Sequence, residues 1–142
     1  KVINRACPFL GICVGMQLLV DYSYEKVKTS GLSWLEGSIE KINNIGLDYL
    51  GRKLKVPHMG WNTINIKRDN IFLKNIKNEE IFYFVHGYYM NCKDRKDVLS
   101  TTKYCNSFVS SINKENIYGA QFHPEKSHDQ GIVIINNFVK LI

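Results

Sequence analysis

Several features that would indicate an exported, metal-binding or membrane protein are missing from this 142-residue sequence. None of its four cysteines forms a Cys-x-x-Cys pair, and no histidine stands at zinc-finger spacing, so we expect no metal site. No apolar run is long enough to cross a bilayer, and the N-terminus does not have the shape of a signal peptide. Without an export signal we expect free thiols rather than a disulfide framework, and a cytoplasmic location.

Clustered basic residues are also missing, although the net charge is +6, from 19 Lys and Arg against 13 Asp and Glu. Because the positive residues are scattered along the chain, we expect neither a nucleic-acid partner nor a membrane partner. An apolar content of 44% with 23% charged residues is ordinary for a globular protein. No repeat, low-complexity segment or linker divides the chain, so we predict one domain over residues 1–142.

The rest of the chain is organised around an apolar run that leads into Gly-Ile-Cys-Val-Gly at residues 11–15. This is the layout of a nucleophile elbow, a sharp strand-to-helix turn with the reactive residue at its tip. Side chains at Gly11 or Gly15 would collide where the helix packs back across the strand. The helix N-terminus would favour a thiolate and lower the pKa of Cys13. Alone, this pattern also fits a buried structural cysteine, so the interpretation needs a partner base.

Apolar periodicity predicts an α/β domain of short strands with few helices. The predicted strands span residues 8–12, 38–42, 53–56, 61–66, 81–86, 88–91, 98–104, 108–112 and 117–122. We predict helices over residues 14–22 and in the C-terminal segment, and a turn over residues 43–51. The apolar stripe of the C-terminal helix would consist of Ile132, Ile135, Phe138, Val139 and Ile142.

The candidate base is His123, which directly follows the predicted strand 117–122. Glu125 lies two residues further on, and in extended backbone side chains two apart point the same way. Glu125 can therefore hydrogen-bond one ring nitrogen of His123 and leave the other as a proton acceptor aimed outward. An isolated His-Pro-Glu is more often a surface pair, but Cys13 on its glycine-flanked turn reverses that balance. Together the three residues predict a nucleophilic triad in its thiol form.

Four motifs of the sequence resemble class I glutamine amidotransferases. They are Gly-Ile-Cys-Val-Gly-Met-Gln (11–17), Pro-His-Met-Gly-Trp (57–61), Tyr-Phe-Val-His-Gly-Tyr-Tyr (83–89) and Tyr-Gly-Ala-Gln-Phe-His-Pro-Glu-Lys-Ser (118–127). The first and last are shared by the whole class, whereas the middle two are narrower and resemble the glutaminase (HisH-type) subunits of imidazole glycerol phosphate synthase. The resemblance implies a flavodoxin-like three-layer α/β fold with a mostly parallel central sheet, and no cofactor.

The resemblance also implies roles for individual residues. Cys13 matches the nucleophile that attacks the side-chain amide of glutamine, and His123 matches the acid/base that protonates the departing ammonia. Glu125 matches the residue that orients this histidine, and the backbone N–H of Val14 matches an oxyanion donor. The positions that match the substrate pocket are Val14, Gly15 and Gln17.

In this family the ammonia passes to a (β/α)8-barrel cyclase subunit that forms imidazole glycerol phosphate in histidine biosynthesis, which implies a heterodimer. The positions that match surface positions near this interface are Pro57, His58, Met59, Gly60, Trp61 and Lys126. Judged without the resemblance, His58 and His86 are structural histidines, Met59 and Trp61 are ordinary core, and Lys126 is a solvated charge.

The chain starts at Lys1 and reaches the elbow within a dozen residues, so we expect it to be the C-terminal portion of a longer domain. In the family the preceding segment supplies the first strands of the sheet and a glycine-rich loop with the second oxyanion N–H. We therefore expect the N-terminal strands to be missing, one sheet edge to be bare, and this chain alone to be poorly active.

Two departures from the family pattern leave alternatives open. Gly87 stands where the family often has a small hydroxyl residue, and residues 31–37 lack a proline that many relatives have. A sister subunit that supplies ammonia to a surface-sugar-modifying synthetase would have the same triad. A non-catalytic subunit that only binds a partner is a second alternative. A hydrolase or peptidase on the same elbow is disfavoured, because it would have no use for Gln17 or for residues 57–61.

Overall fold

The computed structural model describes residues 1–43, 46–48 and 50–142. The helices are α1 (Val2–Arg5), α2 (Val14–Gln17) and α3 (His128–Val139), with 3-10 turns at Ile71–Leu73, Arg95–Asp97 and Pro124–Lys126. The strands are β1 (Phe9–Ile12), β2 (Tyr22–Ser23), β3 (Thr29–Ser30), β4 (Gly37–Lys41), β5 (His58–Thr63), β6 (Asn65–Ile66), β7 (Ile81–His86), β8 (Tyr88–Cys92), β9 (Val98–Tyr104), β10 (Asn106–Lys114) and β11 (Ile117–Ala120).

The largest sheet has the strand order β1-β11-β10-β9-β6. In this sheet β1 and β11 are parallel, with Ile12 opposite Ala120, whereas the other neighbours are antiparallel. The reason is connection length: one residue joins β9 to β10 and two join β10 to β11, and such turns reverse the chain. The sheet is therefore mixed, which corrects the expected mostly parallel arrangement, and β1 lies at one edge of it.

Two smaller sheets pack against the large one. Together with the helices they confirm the predicted α/β fold. One has the order β3-β2-β4-β8 and the other pairs β5 with β7. Adjacent residues of β10 point to opposite faces, so Phe108 packs with β7 and α3, and Val109 packs with β4, β8 and α2. The large sheet thus has an apolar core on each face, which gives three layers.

Helix α2 is much shorter than the predicted helix over residues 14–22. The carbonyl of Leu18 accepts the N–H of Leu32, and the carbonyl of Leu19 accepts those of Trp34 and Leu35. A longer helix would need these carbonyls for its own ladder. The loop that returns along α2 therefore ends the helix. Local periodicity could not predict this, because the loop contacts α2 only in the folded chain.

The C-terminal helix is confirmed, but its predicted apolar stripe is partly wrong. Ile132, Val139 and Ile142 are 57%, 56% and 84% exposed, whereas Gly131 and Ile134 are buried. A Cβ at Gly131 would lie 1.8 Å from the carbonyl oxygen of Pro124, so only glycine allows α3 to approach so closely. This close contact sets the rotation of the helix.

Two further expectations concern the segment between β4 and β5. The predicted strand 53–56 is wrong, because within the described part of this segment only a single bridge pairs Lys53 with Leu47. The predicted turn over residues 43–51 includes Asn44, Ile45 and Tyr49, which lie outside the described residues. Over residues 1–43, 46–48 and 50–142, no helix has the length and hydropathy needed to span a membrane.

Candidate active site

The turn at Cys13 has the geometry of a nucleophile elbow. Cys13 has φ 51° and ψ −108°, a left-handed backbone conformation that is strained for a residue with a side chain. Its N–H donates to the carbonyl of Ala120 at 2.7 Å, which holds the turn on the end of β11. The predicted strand-to-helix turn is confirmed, and Cys13 lies at its tip.

The two glycines of the elbow are not equivalent. A Cβ at Gly11 would lie 2.6 Å from both the carbonyl carbon and the oxygen of Gly15, so the expected collision is confirmed there. At Gly15 no described residue, apart from its chain neighbours and its own helix, lies within 4 Å of such a Cβ. The expectation that a side chain at Gly15 would also collide is therefore wrong.

We expect Gly11→Ala to lower the free energy of unfolding by about 1–3 kcal/mol or more, because backbone atoms must move to admit the methyl group. Gly15→Ala is the matched control, and its free energy of unfolding should stay within about 1 kcal/mol of the parent chain, since the added methyl meets open space. Urea denaturation of both variants measures the difference. Equal losses in the two variants would contradict this account of the elbow.

The pKa of Cys13 does not follow the helix-dipole expectation. Burial raises the pKa of the thiol above its ordinary value, the N–H of Val14 and the side chain of Gln121 lower it, and the nearby charge of Glu125 raises it. The predicted lowering is thus corrected: α2 has only four residues, and burial outweighs its end charge. In the resting site Cys13 is a neutral thiol that needs a base.

His123 and Glu125 form the predicted pair. Nδ1 of His123 lies 2.6 Å from Oε1 of Glu125, across the 3-10 turn Pro124–Lys126 rather than along an extended strand. Because a carboxylate accepts, Nδ1 carries the proton and Nε2 is free to accept one. Nε2 is buried and has no hydrogen-bond partner among the described residues, so it does not point outward as expected. A buried, unpaired acceptor nitrogen is suited to act as a base.

Strand β7 brings the cysteine and the histidine together. The thiol of Cys13 donates to the carbonyl of Val85 at 3.7 Å, and the N–H of His123 donates to the carbonyl of Tyr83 at 2.9 Å. Ser127, which the motif analysis overlooked, accepts the N–H of Tyr83 and donates to the carbonyl of His123. Both reactive side chains therefore lie where the parallel strands β1 and β11 end, against the same segment of β7.

Two of the three predicted substrate residues, Val14 and Gln17, line a cavity beside the elbow, whereas Gly15 does not line it. A cavity of about 380 Å³ is lined by residues that include Val14, Gln17, Glu25 and Lys26. As the first residue of α2, Val14 has an N–H without a partner in the helix. This N–H forms a hydrogen bond with the sulfur of Cys13 and lowers the pKa of the thiol. The cavity thus combines a backbone donor, an amide side chain and one charged group of each sign.

Gln121 lies beside Cys13, although the motif analysis gave it no role. It is fully buried, donates from Nε2 to the sulfur of Cys13 at 3.7 Å, and accepts from Gln17 at 2.9 Å. Its position two residues before His123 was the available signal, because residues two apart near a strand end point to the same side.

The residues predicted for the partner interface divide into two groups. Met59 and Trp61 are 64% and 49% exposed, and Pro57 and Lys126 are also exposed. His58 is only 2% exposed, which corrects its expected surface position and agrees with the alternative of a structural histidine. Gly60 is partly exposed on the same strand.

His58 and His86 form a buried, neutral pair. Nδ1 of His86 lies 2.7 Å from the carbonyl of Tyr88, so it carries a proton, and Nε2 then accepts from Nδ1 of His58 at 3.0 Å. Nε2 of His58 in turn accepts from the amide of Asn62. Burial lowers the pKa of His58 to about 3 and that of His86 to about 4.

This pair predicts acid sensitivity. Both histidines bind protons below pH 6.5 in the unfolded chain but only near pH 4 and below in the folded chain, so stability is present above pH 6.5 and is lost as the pH falls below it. The slope should reach up to about 1.4 kcal/mol per pH unit for each histidine. Urea unfolding between pH 7.5 and 5.5 measures it.

His58→Phe should reduce that slope, because one titrating group is lost while stacking on Phe84 and Tyr104 is kept. His128→Phe is the control, since His128 is an exposed histidine stacked on Trp61, and the slope should not change. A slope in His58→Phe equal to that of the parent chain would show that the pair is not its source.

All four cysteines lie in the described part of the chain and are free thiols, as predicted. Cys92 is buried, whereas Cys7 is exposed.

The chain is similar to known amidotransferases. A family model described as "Glutamine amidotransferase class-I" matches residues 1–141. The protein named "Imidazole glycerol phosphate synthase subunit HisH" of Leptospira borgpetersenii is 46% identical over 140 residues, which are 99% of this chain and 67% of the relative. The protein of the same name in Leptospira interrogans is 43% identical, and the match spans 99% of this chain and 67% of the relative. The one in Pelagibacter ubique is 46% identical, and the match spans 98% of this chain and 64% of the relative. The chain thus spans about two thirds of these relatives.

Solved structures give the same fold at low identity. A putative GMP synthase protein from Thermoplasma acidophilum superposes with a TM-score of 0.68 at 22% identity, covering 99% of this chain and 59% of that one. A glutamine amidotransferase from Thermotoga maritima gives a TM-score of 0.63 at 20% identity, covering 98% and 50%. The implied class I fold is therefore confirmed. The family model and the HisH relatives show that the chain belongs to the glutamine amidotransferase class-I family, in its HisH branch.

Proposed function

We propose that residues 1–142 form an amidotransferase domain that hydrolyses glutamine to glutamate and ammonia through Cys13, His123 and Glu125. In this proposal the ammonia passes to a (β/α)8-barrel cyclase subunit that forms imidazole glycerol phosphate in histidine biosynthesis. The observation that supports it most strongly is His123, whose Nδ1 is bound by Glu125 and whose Nε2 is buried without a partner among the described residues. The HisH relatives support the pathway.

The first half of the reaction begins with the neutral thiol. Cys13 leaves its contact with the Val85 carbonyl, and Nε2 of His123 takes its proton. The sulfur then bonds to the amide carbon of glutamine, and the negative charge that forms on the amide oxygen is stabilised by the N–H of Val14. His123 returns the proton to the amide nitrogen, and the carbon–nitrogen bond breaks. Ammonia departs, and the acyl group remains bound to Cys13 as a thioester.

The second half uses the same groups in reverse. His123 takes a proton from water, the resulting hydroxide attacks the thioester carbon, and the carbon–sulfur bond breaks with return of the proton to sulfur. Glu125 keeps the imidazole in one tautomer and stabilises the imidazolium that forms in both halves. Glutamate and ammonia are the products, and Cys13 is a thiol again.

The cavity beside Cys13 has the chemistry to select an amino acid. Glu25 and Lys26 offer a carboxylate for an α-amino group and an ammonium for an α-carboxylate. Gln17 lines the same cavity and is linked to Cys13 through Gln121, so in this proposal the side-chain amide of glutamine lies beside Gln17.

The exposed residues of β5 lie close to the catalytic histidine, which supports the proposal that a partner bound there receives the ammonia directly. The Trp61 ring lies 5.6 Å from that of Tyr83, and Nζ of Lys126 lies 5.9 Å from the same ring. The carbonyl of Tyr83 in turn accepts the N–H of His123. A cyclase that covers Trp61 and Lys126 would therefore sit beside the triad. A cytoplasmic location is consistent with this biosynthetic role and with four free thiols.

The test is the rate of glutamate release from glutamine, measured with and without a barrel cyclase and its nucleotide substrate. The chain is compared with a version extended at its N-terminus and with Cys13→Ala. The proposal expects release by the extended chain, stimulated by the cyclase and absent in Cys13→Ala. Release that is indifferent to the cyclase would instead favour the surface-sugar branch, and no release in any sample would favour a non-catalytic binding subunit.

A further inference from the structure

Two amide side chains form a hydrogen-bonded chain behind the nucleophile. Nε2 of Gln17 donates to Oε1 of Gln121 at 2.9 Å, and Nε2 of Gln121 donates to the sulfur of Cys13 at 3.7 Å. Gln121 has no exposed surface, and its backbone N–H is held by the carbonyl of Ser110 at 2.9 Å. The proposed reaction makes no use of this side chain.

The backbone carbonyl of Tyr88 determines which way both amides point. It accepts from Nε2 of Gln17 at 2.9 Å, and a carbonyl can only accept, so the NH2 group of Gln17 must face it. The second hydrogen of that NH2 group then faces Gln121, which must present its oxygen. The NH2 group of Gln121 is left facing Cys13. The donor at the sulfur therefore follows from a fixed backbone acceptor and is not a free choice of amide orientation.

The same carbonyl also accepts from Nδ1 of His86, which ties the chain of amides to the neutral histidine pair. Reversing the Gln121 amide would place its NH2 group against the NH2 group of Gln17 in a buried site, at the cost of unsatisfied polar groups. The hydrogen bonds of the two amides thus have one stable direction, and the last of them is donated to the sulfur of Cys13.

We infer that Gln121 stabilises the thiolate of Cys13 through its side-chain N–H and, through its side-chain oxygen, holds Gln17 in place at the substrate cavity. The inference rests on the proposed role of Cys13 as nucleophile. A hydrogen-bond donor favours the charged form of its acceptor, so Gln121 counteracts the burial that otherwise keeps the thiol protonated.

The test uses two substitutions with different chemistry. Gln121→Glu keeps the size and the acceptor for Gln17 but replaces the N–H facing the sulfur with a carboxylate oxygen. Gln121→Met removes donor and acceptor without adding a charge, so it remains informative where a buried carboxylate would prevent folding. Gln130→Met is the matched control, because the Gln130 amide binds Glu80 on the α3 side of the molecule and has no contact with the elbow.

The readout is the rate at which iodoacetamide alkylates Cys13 between pH 6 and 10, followed by mass spectrometry of the Cys13 peptide. In both Gln121 variants the midpoint of the pH profile should rise by about one unit, with about tenfold slower alkylation at pH 7. Gln130→Met should match the parent chain. An unchanged midpoint in folded Gln121→Met would overturn the inference.

This readout is independent of glutamine hydrolysis. A shifted alkylation profile in a chain that releases no glutamate would support the role of Gln121 while the proposed function fails. In a chain that does hydrolyse glutamine, both variants should also lower kcat, whereas KM should rise in Gln121→Met, in which Gln17 loses its acceptor. A fall in stability without a change in the alkylation profile would show that Gln121 is only structural.

Discussion

In the N-terminally extended chain assayed with the cyclase, Cys13→Ala should reduce glutamate release by about 10⁴-fold or more, because no other side chain in the site can form the thioester. The fold should be almost unaffected. The side-chain hydrogen bonds of the sulfur to Val85 and Gln121 are both long, at 3.7 Å, and alanine tolerates the left-handed backbone no worse than cysteine does. Steady-state glutaminase kinetics and the urea midpoint of the same sample separate the loss of chemistry from a loss of structure.

The control for this substitution is Cys7→Ala, which changes an exposed thiol remote in the chain from the triad histidine. It should retain the full rate of glutamate release. If Cys13→Ala kept more than a small fraction of the parent rate, glutamine hydrolysis would have to proceed without a covalent intermediate, and Cys13 would not be the nucleophile.

Glu125→Gln should lower kcat by about 10²–10⁴-fold with little change in the structure. Glutamine at this position can offer its NH2 group to Nδ1 of His123, which would place the imidazole proton on Nε2. That nitrogen could then no longer accept the thiol proton. The loss should be in kcat more than in KM, because Glu125 acts on the base and not on the bound substrate.

A surface carboxylate provides the comparison. Glu36→Gln removes an exposed ion pair with Lys93 and should leave glutaminase kinetics unchanged. Should Glu125→Gln retain the parent kcat in a folded protein, the 2.6 Å contact between Glu125 and His123 would have no role in the reaction.

The positions of the three residues proposed as the triad follow from short-range rules, which is why they could be predicted. Gly11 before Cys13 predicts a tight strand-to-helix turn, and His-Pro-Glu places a carboxylate within reach of an imidazole whatever the remote contacts are. The structure has both features. The parallel pairing of β1 and β11 then brings the two motifs to one end of the sheet, as expected for an α/β fold.

Predictions that depended on remote partners were less successful. The length of α2 is set by a returning loop that takes its carbonyls, and the face of α3 is set by the approach of Gly131 to Pro124. The expected mostly parallel sheet was wrong for a local reason, because one- and two-residue turns make β9, β10 and β11 antiparallel to one another. Periodicity shows which residues of a segment are apolar, but it does not show which other segments of the chain will pack against them.

The amino-acid sequence by itself determined the family and the three residues proposed as the triad, because these depend on residue types at fixed, short spacings. Only the tertiary structure decided the protonation of the site. Burial makes Cys13 a neutral thiol and His58 and His86 neutral rings, and the Tyr88 carbonyl orients Gln17 and, through it, Gln121 toward the sulfur. Proton affinity depends on solvent exclusion and on donors that lie far apart in the chain, so it is a property of the packed molecule.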